Sequence, residues 1–314
     1  MRAWKRFFVE KYTTVFTAPA IREAFSSRSR MGDAVHRKIM RKLREYLSVG
    51  GMPQAVAAFV SGGTFHEVNM VKQTILELYS RDLEKFDEAS HGKAAAAFRS
   101  IPEQLSHRNS RFHLSSISKS WRSETAQESL DFLKQAMVVN PCISVTEPDI
   151  ALEMTTDRQY FKLYMADTGL LVTQALMNGI DSEDKLYKSL VLDNLGINQR
   201  LIVENLVAQM LTTTGKSLYY HEFKYISSTD YDQARTLNKT PKAKPYEIDF
   251  LIVRERRICP IEVKSSSYRA HKSLDCFVEK YADRKIIEKF VLHTKDLRFE
   301  NGVLYLPLYM AMCL

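Results

Sequence analysis

The chain has 314 residues, of which 45% are hydrophobic, 11% aromatic and 26% charged. That balance excludes a disordered, collagen-like or coiled-coil protein, and the length fits two or three domains. The formal net charge of +8 is uneven: residues 1–50 hold 12 Lys and Arg against 4 Asp and Glu, which leaves 33 of each for positions 51–314. A basic arm of this kind can follow phosphates, because each neutralised phosphate releases counterions. A solvated helix surface, or a face for an acidic partner, is the plainer alternative. Four Cys (Cys142, Cys259, Cys276, Cys313) lie far apart with no C-x-x-C pair. That argues against a zinc ribbon or disulfide framework and suits a reducing compartment, so a cytoplasmic location is expected. No apolar run approaches the ~18 residues of a membrane helix. No continuous apolar stretch follows the basic start, so no signal peptide and no membrane partner are expected.

In chain order, residues 33–47 place Val35, Ile39, Leu43 and Leu47 on one helical stripe, with Asp33 as a candidate N-cap and a stop at Gly50-Gly51. A second helix is expected over 53–60. A third starts near Thr64 and carries Val68, Val71, Ile75, Leu78 and Leu83 at the 3.6 period. Helices over 94–105, 115–120 and 123–137, followed by a strand over 138–145, give the order of a winged helix-turn-helix. Its third helix offers Arg122, Gln127 and Lys134, but Glu124, Glu128 and Asp131 make it a poor fit for a DNA groove. Residues 161–167 form a short strand, with Asp167 placed to cap the apolar helix that follows. Residues 178–195 are polar and form a connection.

The last third changes to mixed α/β: a helix over 198–211, strands over 218–225, 246–253 and 258–264, a helix over 274–282 and a strand over 286–293. Residues 226–245, with Arg235, Lys239, Lys242 and Lys244, are expected to be a long loop. The expected fold class is thus α+β in several parts. A helical region with a basic arm covers 1–92, a winged-helix-like region 93–175, and an α/β domain 190–314.

The chemistry concentrates in Glu247-Ile-Asp249 and, thirteen positions after Asp249, Glu262-Val-Lys264. Strand alternation puts Glu247 with Asp249 and Glu262 with Lys264, while Ile248, Phe250, Ile261 and Val263 point the other way into a core. Glu204, on the preceding helix, can lean onto the acidic face. Metal-dependent phosphodiester hydrolysis needs these groups. Carboxylates hold Mg²⁺ or Mn²⁺, the cation acidifies water and steadies charge on the phosphate, and a lysine orients the attacking water. Asp249 and Glu262 are the expected metal ligands. Glu204 would hold a second metal or a bridging water, Lys264 would assist the water, and Glu247 is an alternate ligand. A surface acid–lysine cluster of weak ion pairs is the bland alternative. The D-x(12)-E-x-K spacing on successive strands is the sequence mark of the PD-(D/E)xK nuclease fold, whose core order is α, β, β, β, α, β. Eight His show no H-x-x-x-H or H-x-H spacing and no G-x-S-x-G occurs, which speaks against a zinc hydrolase or serine hydrolase. His221 is expected to be a satisfied surface histidine. His271 and Lys272 are weaker candidates for touching phosphate.

Residues 46–53 (YLSVGGMP), 75–82 (ILELYSRD), 161–171 (FKLYMADTGLL), 204–209 (ENLVAQ), 247–250 (EIDF) and 260–265 (PIEVKS) carry a resemblance. The chain is similar, from about Ile21 onward, to the C-terminal half of prokaryotic AAA-type ATPases that carry domain of unknown function 4143. The resemblance implies a helical and winged-helix middle followed by a restriction-endonuclease-like domain. It places Glu204, Asp249, Glu262 and Lys264 on the family's acid, acid, acid and lysine positions. Members of that family begin with a P-loop ATPase domain, and no G-x-x-x-x-G-K-[ST] occurs here. No ATP site is therefore expected, and the chain would be a fragment, a split partner or an ATPase-less form.

Two functions follow as expectations. One is a Mg²⁺-dependent DNA nuclease, with residues 2–44 and Arg235–Lys244 on the phosphate backbone. The other is a non-catalytic regulatory or interaction module that docks a separate ATPase or another protein.

Overall fold

The computed structural model describes residues 17–86, 93–107, 111–113, 123–176, 199–265, 268–284, 286 and 288–314. The first part is helical: α1 (Thr17–Ser26), α2 (Asp33–Val49), α3 (Pro53–Val60), α4 (Phe65–Phe86) and α5 (Lys93–Ser106). Helix α6 (Ser123–Gln135) leads into β1 (Val139–Val145), a 3₁₀ turn (Leu152–Thr155), β2 (Thr156–Met165) and α7 (Thr168–Leu176). The remainder runs α8 (Gln199–Thr213), β3 (Leu218–Tyr225), α9 (Ser228–Thr236), β4 (Lys244–Arg254), β5 (Arg257–Val263), α10 (Lys272–Lys280), β6 (Lys289–His293), β7 (Arg298–Glu300) and β8 (Val303–Pro307), closed by a 3₁₀ helix (Leu308–Cys313). None of the described helices is long and apolar enough to cross a membrane.

The eight strands form one mixed sheet in the order β2-β1-β3-β4-β5-β6-β8-β7. Pairing is antiparallel for β1·β2, β3·β4, β4·β5 and β7·β8, and parallel for β1·β3, β5·β6 and β6·β8. The strand expected over 138–145 and the one over 161–167 are therefore the edge pair of the same sheet that holds β3–β6. The expected helix over 115–120 and the connection over 178–195 lie outside the described residues.

Central strands β4 and β5 are buried on both faces, which explains their near-continuous apolar runs. On one side, α8 contributes Leu201, Val203, Leu206, Val207 and Met210 to a large core that also holds Phe250, Ile261 and Val263. On the other side, α10 contributes Leu274, Cys276 and Phe277 to a smaller core with Phe223, Ile248 and Leu251. Ile248 and Phe250 thus pack in opposite cores, although strict alternation predicts one face for both. The reason is a shift in the β3–β4 register: Tyr219 pairs with Leu251 but His221 pairs with Ile248, so β4 carries one extra residue there.

The helical part is locked to the sheet at two glycines. Helix α2 ends at Gly50, whose φ is 80° and whose N–H donates to Tyr46 O. A Cβ on Gly50 would lie 2.6 Å from Asp167 Oδ1, and one on Gly169 would lie 2.3 Å from the Gly50 Cα. Only glycine permits that approach. It lets the buried Asp167 carboxylate accept from Gly51 N–H at 2.7 Å and Leu170 N–H at 2.9 Å. Asp167 therefore caps α7, as its place before that helix predicts, and also ties the end of β2 to the α2–α3 corner.

Several expectations need correcting. Asp33 is the first residue of α2 rather than its cap, which is Gly32. Val35 and Leu78 are exposed, so the apolar stripes of α2 and α4 are narrower than their periodicity. The loop expected over 226–245 contains α9, capped by Ser227, whose Oγ accepts from Asp230 N–H at 3.2 Å. His221 is buried. Its Nδ1 meets Val145 O at 2.7 Å and its Nε2 meets Tyr281 Oη at 2.8 Å.

Candidate functional site

The register shift in β4 falls at Ile248–Leu251, so Asp249 sits on a bulge, a device that re-aims side chains. Phe250 pairs with Ile261 of β5, and the Val263 N–H donates to Asp249 Oδ2 at 2.7 Å. Glu262, next to Val263, leads β5 toward Lys264. Lys264 Nζ lies 2.5 Å from Glu262 Oε1. The other oxygen, Glu262 Oε2, is buried and has no close hydrogen-bond partner among the described residues, though the Leu274 N–H of α10 also favours the ionised carboxyl. Glu204 of α8 is buried and accepts from Arg200 Nε at 2.5 Å, one helical turn away. Glu247 is half-buried and accepts from Lys162 Nζ at 2.6 Å. The structure thus gathers Glu204, Glu247, Asp249, Glu262 and Lys264 in one place. All of these but Glu204 open on a cleft of about 1170 Å³, also lined by Arg111, Arg200, Lys224 and Tyr160.

Sequence reasoning missed two cations here. Arg200 carried a signal, the i,i+4 spacing to Glu204. Lys162 carried none beyond being a lone charge in an apolar strand: it is fully buried on β2 and meets a residue 85 positions away.

Glu204, Glu247, Asp249 and Glu262 cluster with three cations, Lys162, Arg200 and Lys264, and the imbalance shows in the proton affinities of the buried acids. Burial raises the Asp249 carboxyl well above the usual range; Glu204 and Glu262 raise it further, and Lys162 only partly offsets them. Burial also raises Glu262, against the pull of Lys264. Burial works against the charge on Lys162, but Glu247, Glu204 and Asp249 outweigh it, so its pKa is raised and it stays an ammonium. Glu204 does the same for Arg200.

Among the described residues, no group of three or more His, Cys, Asp and Glu side chains is set out to hold a metal ion. Mg²⁺ does not require one: it keeps several waters and is commonly held by one or two carboxylates. The buried Glu262 Oε2, next to the residue whose N–H aligns Asp249, fits such a cation. Glu204, already paired with Arg200, is less free to serve.

The other candidates have internal partners. Lys244 and Lys272 both reach Asp230, at 2.6 and 3.2 Å. His271 meets Tyr305 Oη at 2.7 Å and Asp275 at 3.1 Å. Arg235, Lys239 and Lys242 are exposed or half-exposed, as are Arg37, Lys38 and Arg41 on α2, whereas residues 1–16 lie outside the described part.

Two family models match the chain: domain of unknown function DUF8612 over residues 40–184 and domain of unknown function DUF4143 over residues 201–310. No curated protein and no solved structure matches it. Glu204, Glu247, Asp249, Glu262 and Lys264 lie within the second match, and Lys162 lies within the first.

Proposed function

We propose that the chain is a DNA nuclease dependent on Mg²⁺ or Mn²⁺, with Asp249 and Glu262 as the residues that hold the cation. The observation that carries this reading is the buried Glu262 Oε2, without a close hydrogen-bond partner among the described residues, beside an Asp249 carboxyl crowded by other acids. Carboxylates kept from water and crowded together need a compensating charge. Apart from helix α9 inserted between β3 and β4, the order α8, β3, β4, β5, α10, β6, with antiparallel, antiparallel and parallel pairing, supports a PD-(D/E)xK nuclease core.

A bound divalent cation supplies the Lewis acidity that activates water and stabilises charge on a phosphate. The chain's residues do the rest. Val263 fixes Asp249, and β5 fixes Glu262, so little reorganisation is needed. Lys264, half-buried at the cleft, orients the attacking water and offsets charge on the phosphate. Arg200, Lys224 and Arg111 border the same cleft and suit a phosphodiester backbone without reading bases. The exposed bases of α2 extend that attraction. Helix α6 is followed by β1 and β2, and the union of those strands with the main sheet favours a structural part over a DNA reader.

A second reading, a non-catalytic module docking a separate ATPase or other protein, is favoured by one observation. Glu204, Glu247 and Glu262 each already hold a cation of the protein itself. The test is incubation of the purified chain with plasmid and single-stranded DNA in Mg²⁺, in Mn²⁺ and in EDTA, beside Glu262→Ala and Lys264→Ala. Metal-dependent cleavage lost in both variants is expected. No cleavage by a stably folded parent rejects the nuclease reading in favour of the module.

A further inference from the structure

Lys162 stands apart from the rest of the site. It belongs to β2, on the edge of the sheet, whereas Glu247 belongs to β4. Strand order puts β1 and β3 between them. With strands about 4.8 Å apart, that is a separation of about 14 Å, which a lysine and a glutamate bridge only when both are extended. The ammonium passes over the ring of Tyr220 on β3, 4.8 Å from its centroid, and reaches Glu247 Oε1 at 2.6 Å. It is wholly buried and ion-paired. A buried charge of this kind is retained only where it is paired. An ammonium 2.6 Å from a carboxylate oxygen occupies the space that a divalent cation bound to that oxygen at about 2.1 Å would need.

We propose that Lys162 is a positioning residue that fills the second cation place of this site and, by holding Glu247, limits the site to one divalent ion. This rests on the metal-dependent reading above. With Arg200 on Glu204 and Lys162 on Glu247, the acids left to a metal are Asp249 and Glu262. The site is then a composite: its metal-binding acids lie in one matched family region and the cation that sets its stoichiometry in the other.

The test counts Mn²⁺ bound per chain by electron paramagnetic resonance of the free ion, together with melting curves in EDTA and in Mn²⁺. It uses the parent, Lys162→Met, and Lys162→Met combined with Glu247→Gln. The parent binds one Mn²⁺. Lys162→Met binds two, and Mn²⁺ raises its melting temperature more than the parent's. The double variant returns to one, because a neutral amide is a poor ligand. A purely structural lysine would lower the melting temperature without changing the count. One Mn²⁺ in Lys162→Met, or two in the parent, overturns the inference and leaves the nuclease reading standing. A Lys162→Met chain that fails to fold even in Mn²⁺ also overturns it, since the vacated place then accepts no cation. No Mn²⁺ in any of the three overturns both.

Discussion

The backbone N–H of Val263 donates to Asp249 Oδ2 at 2.7 Å, so one central strand aligns the carboxylate that stands on the bulge of its neighbour. That bond holds an acid in a place where burial and three other carboxylates, Glu204, Glu262 and Glu247, oppose its ionisation. The folded chain therefore binds a proton at Asp249 at pH values where the unfolded chain has released it. Stability falls as pH rises through the window between the ordinary carboxyl pKa and the raised one. Asp249→Asn keeps an oxygen for the Val263 N–H and removes the charge. The metal-free variant is expected to be more stable than the parent at pH 7.5, by about 1–2 kcal/mol. That gain should shrink toward pH 4. Thermal melts across pH check this, and a variant less stable than the parent at neutral pH contradicts it.

The same two carboxyls make cation binding a competition with protons. Burial raises both Asp249 and Glu262, so a metal must displace protons held above the usual carboxylate range. Mn²⁺ affinity is expected to increase as pH rises above the ordinary carboxyl range, with net proton release on binding. Calorimetry in two buffers of different ionisation enthalpy measures the protons. An affinity that does not change as pH rises argues against these ligands.

The close approach of Gly50 and Gly169 predicts a stability defect far from the carboxylates. Gly169→Ala would place a methyl 2.3 Å from the Gly50 Cα, and Gly50→Ala adds a strained φ of 80°. Each should cost about 1–3 kcal/mol, read in denaturant midpoints. Because Asp167 ties β2 to this corner, forcing the two glycines apart should also loosen the strand that carries Lys162. A Gly169→Ala protein as stable as its parent would mean the corner is not a fixed part of the fold.

Arg37, Lys38 and Arg41 are solvent-accessible bases on α2. If they follow phosphates, replacing all three by Ala should reduce the slope of log K against log salt for duplex DNA by about 2–3, near 0.9 for each phosphate no longer neutralised. An unchanged slope would place the DNA-binding surface elsewhere on the chain.

How legible the sequence was depended on how local the cause was. Helix α3 begins at Pro53 and ends before Ser61-Gly62-Gly63, as local stop signals require. Helix α9 was equally local, with Ser227 and Asp230 in capping spacing, yet the polar composition of 226–245 hid it. Residues 303–307, an apolar run that forms β8, lay beyond the last strand that the hydropathy pattern marks. The grouping of Glu204, Asp249, Glu262 and Lys264 followed from element order and strand spacing. The opposed faces of Ile248 and Phe250 did not, because a bulge breaks the two-residue period without a mark in composition. Lys162 was illegible for another reason: its partner is brought near only by the assembled sheet.

Crystals soaked in Mn²⁺ decide the matter through their anomalous difference map. A peak is expected within about 2.5 Å of both Glu262 Oε2 and an Asp249 carboxylate oxygen, with none between Lys162 and Glu247. Soaked crystals with no peak at Asp249 and Glu262, or with the peak elsewhere on the chain, would refute the assignment of these two acids as the metal ligands.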